Sequence, residues 1–338
     1  MGKRFNAIDI AKVAAILLVV VGHYFPEGSP RWWVAAHDVI YTFHMPLFFF
    51  ASGFLFAATE RPVGYVAFMR RKFLRLMVPY FSASVVIISF KLLTERGGDA
   101  SALDNPVTPE AFLEMFWYPS AGYFLWFIWA LMWMFAVAPL ARGRAPRAAL
   151  AIIAVALAYS PLEFTGLFCL EQARQMFVYF MLGAVGADLR ERFTERAAAI
   201  LVGPFTGVFV ILEGLFVIWP YFRPLLAPVL PYAGIAAFLL LSRVVDRDCA
   251  RLRGWMLRLA PYTYFIYLFH TTFEGVAKAV VQRVPGLCAP EGLVFACVAL
   301  MVVGIGVAGP VAAWRWVVGR VPLLAAAFGG RPVGRKAG

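Results

Sequence analysis

Apolar runs long enough to cross a membrane recur along the whole chain, separated by short stretches rich in arginine, proline and glycine. A transmembrane helix needs about 20 mostly apolar residues, and ten runs come close to that length. These runs lie at about 7–25, 37–58, 75–94, 122–140, 147–162, 173–189, 197–219, 223–242, 260–281 and 292–318. The pattern predicts an all-α integral membrane protein with about ten transmembrane helices.

The connections between the runs are short. The longest, about 91–121, has no room for a soluble domain, so we expect residues 1–320 to form a single transmembrane domain. Two of the ten runs are the least regular, because the fifth is short and the eighth contains Pro224, Pro228 and Pro231. The end of the chain, GGRPVGRKAG, predicts a short disordered cytoplasmic tail over 321–338.

The composition excludes a soluble protein. Hydrophobic residues make up 62% of the chain and the mean hydropathy is +0.77, whereas a soluble domain is roughly 45–50% apolar. The cysteines form no CxxC pair and have no metal-ligand spacing, so the sequence predicts buried thiols and no metal site. They are Cys169, Cys249, Cys288 and Cys297.

The net charge of +12 indicates topology rather than a nucleic-acid partner. If the N-terminus is cytoplasmic, the ten runs leave 23 basic residues in cytoplasmic segments and five in outer loops. Positive charge concentrates on the cytoplasmic side of membrane proteins. The distribution therefore predicts that both termini are cytoplasmic, and that the basic charge faces the membrane surface.

The first apolar run carries three ionisable residues. Lys12 and His23 are eleven positions apart, which is three helical turns plus about 20°, so they share one face roughly 16 Å apart along the axis. Asp9 lies one turn below Lys12. A charge at mid-membrane costs at least ~2.5–3.5 kcal/mol and usually marks a functional path. In the simpler interpretation, Lys12 reaches the inner headgroups, Asp9 pairs with it and His23 lies at the outer interface.

Later runs contain further polar groups. His44 precedes MPLFFFASGF, in which Ser52 and Gly53 allow close helix contact, although packing around a proline kink also explains this stretch. His270 lies in the ninth run within YTYFIYLFHTTFE, where a satisfied buried hydrogen bond is the alternative. The aromatic segment YFLWFIWALMW is explained most simply by packing or lipid contact.

A basic cluster precedes the third run in FMRRKFLRLMVPY. Its cations are an ordinary topology signal, but arginine and lysine near a helix N-terminal region also suit phosphate binding. They are Arg70, Arg71, Lys72 and Arg75.

Five motifs in order resemble the acyltransferase 3 family, whose members are integral-membrane enzymes that move acyl groups onto envelope glycans. The resemblance covers about 5–280. Its motifs are Lys12 and His23 with ten residues between them and Asp9 upstream, FFASGF at 49–54, KFLR at 72–75 followed by Pro79 and Tyr80, the pair Trp126 and Phe127, and IYLFH at 266–270.

The resemblance implies a function and a site. It implies transfer of an acetyl group from cytoplasmic acetyl-CoA, a substrate and not a bound cofactor, to a hydroxyl of an envelope polysaccharide or lipid-linked glycan. His23 would be the general base and Asp9 its upstream catalytic partner. The phosphates of the donor would bind Lys12, Arg71, Lys72 and Arg75, while supporting or acceptor-side roles would fall to His44, Ser52, Trp126 and His270. The family also implies a bacterial inner membrane location.

Two substitutions depart from the family pattern. Lysine replaces the commoner arginine at Lys12 and at Lys72, which keeps the charge but loses the bidentate fork. We therefore expect a changed affinity for the donor.

Two other classes of function remain open. A proton-coupled transporter of lipid-linked sugars or organic anions also needs intramembrane ionisable residues, although no repeat symmetry is visible in the chain. A signalling or scaffold protein would tolerate loss of His23. The acceptor, the acyl group and the oligomeric state are not encoded in these patterns.

Overall fold

The structure, a computed structural model, describes residues 5–95, 106–190, 194–284 and 292–330. It is 83% helix and contains no strand in these ranges. Fourteen α-helices are described: α1 (Asn6–His23), α2 (Arg31–Ala58), α3 (Tyr65–Glu95), α4 (Ala111–Glu114), α5 (Trp126–Val137), α6 (Arg144–Ala158), α7 (Leu170–Leu189), α8 (Glu195–Ile218), α9 (Arg223–Leu226), α10 (Leu230–Asp248), α11 (Ala250–Leu259), α12 (Thr263–Gln282), α13 (Gly292–Trp316) and α14 (Pro322–Ala327).

Six helical segments within the described ranges are long and apolar enough to cross a membrane. They are Asn6–His23, Arg31–Ala58, Tyr65–Thr94, Tyr123–Leu140, Glu195–Ile218 and Gly292–Arg320. A seventh span results if Pro220–Leu226 and Leu230–Asp248, which are bent by 75°, count as one. The prediction of an all-helical membrane protein is therefore confirmed.

The other three predicted spans also coincide with helices. α6 is only 15 residues long, whereas α7 and α12 are long enough but carry polar and charged side chains that lower their hydropathy. The count of ten spans and the cytoplasmic location of both termini remain predictions.

The structure changes two details of the sequence reading. α3 begins at Tyr65, ten residues before the predicted span, because no glycine or proline interrupts the chain between Gly64 and Pro79. The basic cluster is therefore part of the helix and not of a loop before it. The eighth run is broken as its prolines suggested, since proline removes a backbone donor and clashes with the preceding turn.

The chain forms two compact units, and the first comprises Met1–Glu60, Tyr179–Tyr267 and Glu291–Ala299. Within it, α1 packs against α2, α10 and α11. Ile10 and Val13 of α1 form a buried cluster with Met256 of α11. Elsewhere in this unit, Phe43 of α2 packs between Phe209 of α8 and Ala237 of α10.

The second unit comprises Arg61–Val178, Leu268–Pro290 and Leu300–Gly338. In it α3 packs against α5 and α4. The hydroxyl of the fully buried Tyr80 shares its one proton between the carbonyls of Met115 and Tyr118, at 2.8 and 3.2 Å. The stretch predicted as a disordered tail differs from that expectation, since α14 forms there and Phe328 packs on Phe269 at 5.3 Å. Residues 331–338 of the predicted tail lie outside the described ranges. The assignment of 1–320 to one domain stays a prediction.

Candidate functional site

The first unit contains the whole polar face predicted for the first span. α1 is uninterrupted from Asn6 to His23 because its sequence is apolar and contains no proline and no glycine before Gly22. Asp9 and Lys12 lie one turn apart near its start, and the carboxylate of Asp9 acts electrostatically on the half-buried ammonium of Lys12. An acidic neighbour offsets part of the cost of holding a cation in the bundle.

His23 is the last residue of α1 and is half-buried. The residue before it, Gly22, contacts α2 closely, since a Cβ at Gly22 would lie 2.9 Å from the Tyr41 ring. The Tyr41 hydroxyl donates a hydrogen bond of 3.4 Å to the Gly22 carbonyl. Tyr41 thereby anchors the end of α1 that carries His23.

Tyr41 also joins the imidazoles of α2. Its ring stacks on His37 with centroids 4.1 Å apart and meets His44 edge-on at 4.8 Å, while Phe25 covers the other side of His37 at 4.2 Å. Three of the four histidines of the chain therefore belong to this unit. The sequence reasoning missed His37 and Tyr41, although the spacing 37, 41 and 44 places all three rings on one face of a helix.

His44 is 5% exposed and its Nδ1 lies 2.6 Å from the Ile40 carbonyl. Because a carbonyl oxygen only accepts, Nδ1 must carry the proton and donate. Nε2 of the neutral ring is then left as an acceptor. The structure thus gives His44 a defined tautomer and an orienting contact within its own helix.

Ser52 and Gly53 lie where α2 meets α7. A Cβ at Gly53 would overlap the Phe180 carbonyl, and a Cβ at Gly183 would overlap the Phe50 carbonyl. Two glycines therefore allow the two backbones to touch. The close helix contact predicted for this motif is confirmed, and the half-buried Ser52 adjoins it.

Three of the four predicted donor-binding cations lie in the second unit on α3, and they differ in their surroundings. Arg71 and Arg75 are exposed, and Arg71 Nε donates to the carbonyl of Ala67 at 3.2 Å. The ammonium of Lys72 instead lies over the Phe135 ring, 3.5 Å from its centroid, and 5.3 Å from the Phe68 ring. Lys72 is thus held by aromatic contacts, while the two arginines face outward.

The remaining predicted residues also belong to the second unit. Trp126 is half-buried at the start of α5. His270 of α12 is fully buried, with the Phe124 ring 5.2 Å away and edge-on. Glu274, one turn further along α12, is 2% exposed. A buried imidazole and a buried carboxyl therefore lie one turn apart on α12.

An ion pair in the first turns of α7 links this helix to the end of α6. Glu171 accepts hydrogen bonds of 2.9 and 2.5 Å from the guanidinium of Arg174, and a further bond from the Phe164 backbone. The hydrogen bonds from Arg174 lower the pKa of Glu171 to about 2. Arg174 also donates to the Leu157 carbonyl at the end of α6.

Among the residues that the structure describes, no group of three or more histidine, cysteine, aspartate or glutamate side chains could hold a metal ion.

A family model described as an acyltransferase domain, of the acyltransferase 3 type, matches residues 5–314 of the chain. No curated protein and no solved structure matches it.

Proposed function

Because this chain belongs to the acyltransferase 3 family, we propose that it transfers an acetyl group from cytoplasmic acetyl-CoA to a hydroxyl of an envelope glycan or lipid-linked sugar. That the protein is a membrane acyltransferase follows from the family and from its apolar helices. The donor, the acceptor and a location in a bacterial inner membrane are part of the proposal.

The observation that carries the proposal is α1. One unbroken helix of 18 residues bears Asp9 and Lys12 near one end and the half-buried His23 at the other. This arrangement suits a donor whose phosphates stay at one membrane surface while its thioester reaches the far end of the helix. Lys12 of the first unit, with its charge supported by Asp9, would meet a phosphate. The family motif assigns Arg71, Lys72 and Arg75 of the second unit to the donor as well.

His23 is the general base of the proposed reaction. Its neutral imidazole accepts the proton of the acceptor hydroxyl as that oxygen attacks the thioester carbonyl carbon. The carbon–sulfur bond then breaks, the acetyl group stays on the sugar oxygen, and the thiolate of CoA leaves and takes up a proton. Tyr41, through its bond to the Gly22 carbonyl, keeps the end of α1 in place.

The other predicted residues have supporting roles in this scheme. His44 donates from Nδ1 to the Ile40 carbonyl, so its Nε2 can accept a hydrogen bond near Tyr41. This nitrogen suits orientation of the sugar hydroxyl that receives the acetyl group. Ser52 supports the α2–α7 contact. Trp126 and His270 are assigned to the acceptor side.

The first test compares His23→Ala with Tyr24→Phe in cells that lack the native gene. We expect His23→Ala to insert normally and to lose transfer by about 10²–10⁴-fold, the usual worth of a general base. Tyr24→Phe removes only a hydroxyl from the neighbouring residue and should keep activity. The measurement is the acetate that mild alkali releases from purified envelope glycans.

Three outcomes count against the proposal. Substantial transfer by a stably inserted His23→Ala variant overturns the assignment of the base. Proton-coupled uptake of sugars or organic anions without turnover of acyl-CoA favours the transporter alternative. If the wild type and every variant insert into the membrane but none transfers an acyl group, the scaffold alternative is favoured.

A further inference from the structure

The first unit contains a cavity of about 960 Å³ whose role the transfer reaction does not explain. This volume lies in the range of ligand-binding pockets. The beginning of α1, the last turns of α2, the end of α7, the beginning of α8 and most of α10 line it. The charge pattern predicts that these helix ends are cytoplasmic.

One end of the cavity is basic. Arg190 at the end of α7 and Arg243 near the end of α10 both line it and are half-buried. Arg190 donates a hydrogen bond of 2.7 Å to the Ala187 carbonyl, which holds its guanidinium at the helix end. Arg247 lines the same end, and its charge is compensated by Asp248 at 2.6 Å.

Two carboxylates at the same rim limit the negative charge that the cavity accepts. Glu195 and Asp246 both line it, and Asp246 accepts a hydrogen bond of 3.2 Å from Asn6. Because Asp248 compensates Arg247, these two acids balance Arg190 and Arg243, so the rim carries no net charge and a ligand with one phosphate adds the least negative charge. A ligand with several phosphates, such as acyl-CoA, would bring excess negative charge next to two acids.

Apart from Asn6 and Tyr232, the rest of the lining is mostly apolar. Phe50, Phe54, Leu182, Phe205 and Leu239 form walls that offer no hydrogen-bond partner for a sugar or a nucleobase. Polar groups placed against such walls would lose their hydrogen bonds to water without replacement. A hydrocarbon chain, in contrast, is stabilised there by burial.

We propose that this cavity binds a lipid that bears a single phosphate, with the phosphate at Arg190 and Arg243 and a hydrocarbon chain along the apolar walls. Basic pockets between membrane helices bind lipid headgroups in this way, because arginine side chains at helix ends reach the level of the phosphates. Binding of this lipid does not depend on the proposed acyl transfer.

Photolabelling of the full-length protein in nanodiscs tests the site. The discs consist mainly of phosphatidylcholine with a minor share of a phosphatidylglycerol that carries a diazirine in its acyl chain. We expect label on peptides from the end of α7 and from α10. Arg190→Gln with Arg243→Gln should reduce it by at least about tenfold, because one charge-assisted hydrogen bond is already worth about that much and two are removed.

Three matched variants separate the site from general lipid contact. Arg251→Gln removes an exposed arginine outside the cavity and should leave labelling unchanged. Arg190→Lys keeps the charge and should retain most of the label. Ala236→Phe places a ring in the cavity and should displace the label even if both arginines remain.

Competition then identifies the source of the phosphate. If undecaprenyl phosphate displaces the photolabel, the ligand is a carrier lipid. If it does not, the ligand is a glycerophospholipid. Either result supports a lipid site. Displacement by acetyl-CoA would overturn the proposal, because the cavity would then be the donor site. Uniform labelling of exposed helices, unaffected by the substitutions, would also overturn it. The experiment measures lipid binding and not acyl transfer. Failure of the proposed acyl transfer would therefore leave the labelling results unchanged.

Discussion

Arg75 and Lys72 lie one turn apart on α3, yet their side chains meet different surroundings. Arg75 is exposed, whereas Lys72 rests on the Phe135 ring. The same sequence motif therefore supplies one outward charge and one charge held by aromatic contact. Their substitution should have different consequences.

We expect Arg75→Gln to raise the KM for acetyl-CoA about five- to tenfold with little change in kcat, since it removes a charge-assisted contact to a phosphate. Lys72→Gln should raise this KM as well and should in addition lower thermal stability, because a cation–π contact is worth about 0.5–2 kcal/mol. Steady-state kinetics and thermal unfolding in detergent measure the two effects. Arg61→Gln, an exposed cation before α3, is the control. An unchanged KM for Arg75→Gln would remove it from the donor site.

At the scale of elements, the contact between α2 and α7 depends on two glycines. A Cβ at Gly53 would overlap the backbone carbonyl of Phe180, and backbone cannot rotate out of the way as a side chain can. Small residues allow such close approach between membrane helices.

Gly53→Ala should therefore destabilise the protein by about 1–3 kcal/mol or more, as overpacking does. Gly207→Ala is the matched control, because nothing lies within 4 Å of a Cβ at Gly207 on α8. We expect a marked fall in Tm for the first variant and none for the second, since alanine also favours the helix. Equal Tm values would show that the two helices can separate at no cost.

The link between α6 and α7 should respond to pH. Glu171 has a pKa of about 2, because Arg174 donates hydrogen bonds to it, below the value near 4.3 of an unfolded glutamate. Because its pKa is lowered in the folded state, ionised Glu171 stabilises the fold fully above pH ~4.3 and progressively less as the pH falls toward 2. Glu171→Gln should lower Tm at pH 7, and its difference from wild type should shrink as pH falls below ~4.3. A pH-independent difference would contradict this role.

At the scale of the whole molecule, the predicted topology makes a claim about Cys249. The prediction of buried thiols is wrong for Cys249 and Cys297, which are both exposed. Cys249 lies between α10 and α11, a segment that the charge pattern predicts to be cytoplasmic. In a variant with Cys169, Cys288 and Cys297 replaced by alanine, a membrane-impermeant maleimide should label inside-out vesicles only. Labelling of right-side-out cells would reverse the predicted orientation.

Much of the architecture was predictable because it depends on local composition. Apolar length and the need to satisfy backbone hydrogen bonds within a bilayer leave the helix as the expected element, and all ten predicted runs coincide with helices. The boundaries were less predictable, as α3 shows, because a helix can extend past the apolar run when no breaker intervenes.

The sequence by itself determined the helices, the membrane class, the order of the family motifs and the shared face of Asp9, Lys12 and His23. Only the tertiary structure decided that Tyr41 bonds to the Gly22 carbonyl, that Lys72 lies on Phe135, and that Arg190 and Arg243 line one cavity. The physical reason is that helical periodicity specifies which residues share a face, whereas the partner of that face depends on packing between segments far apart in the chain.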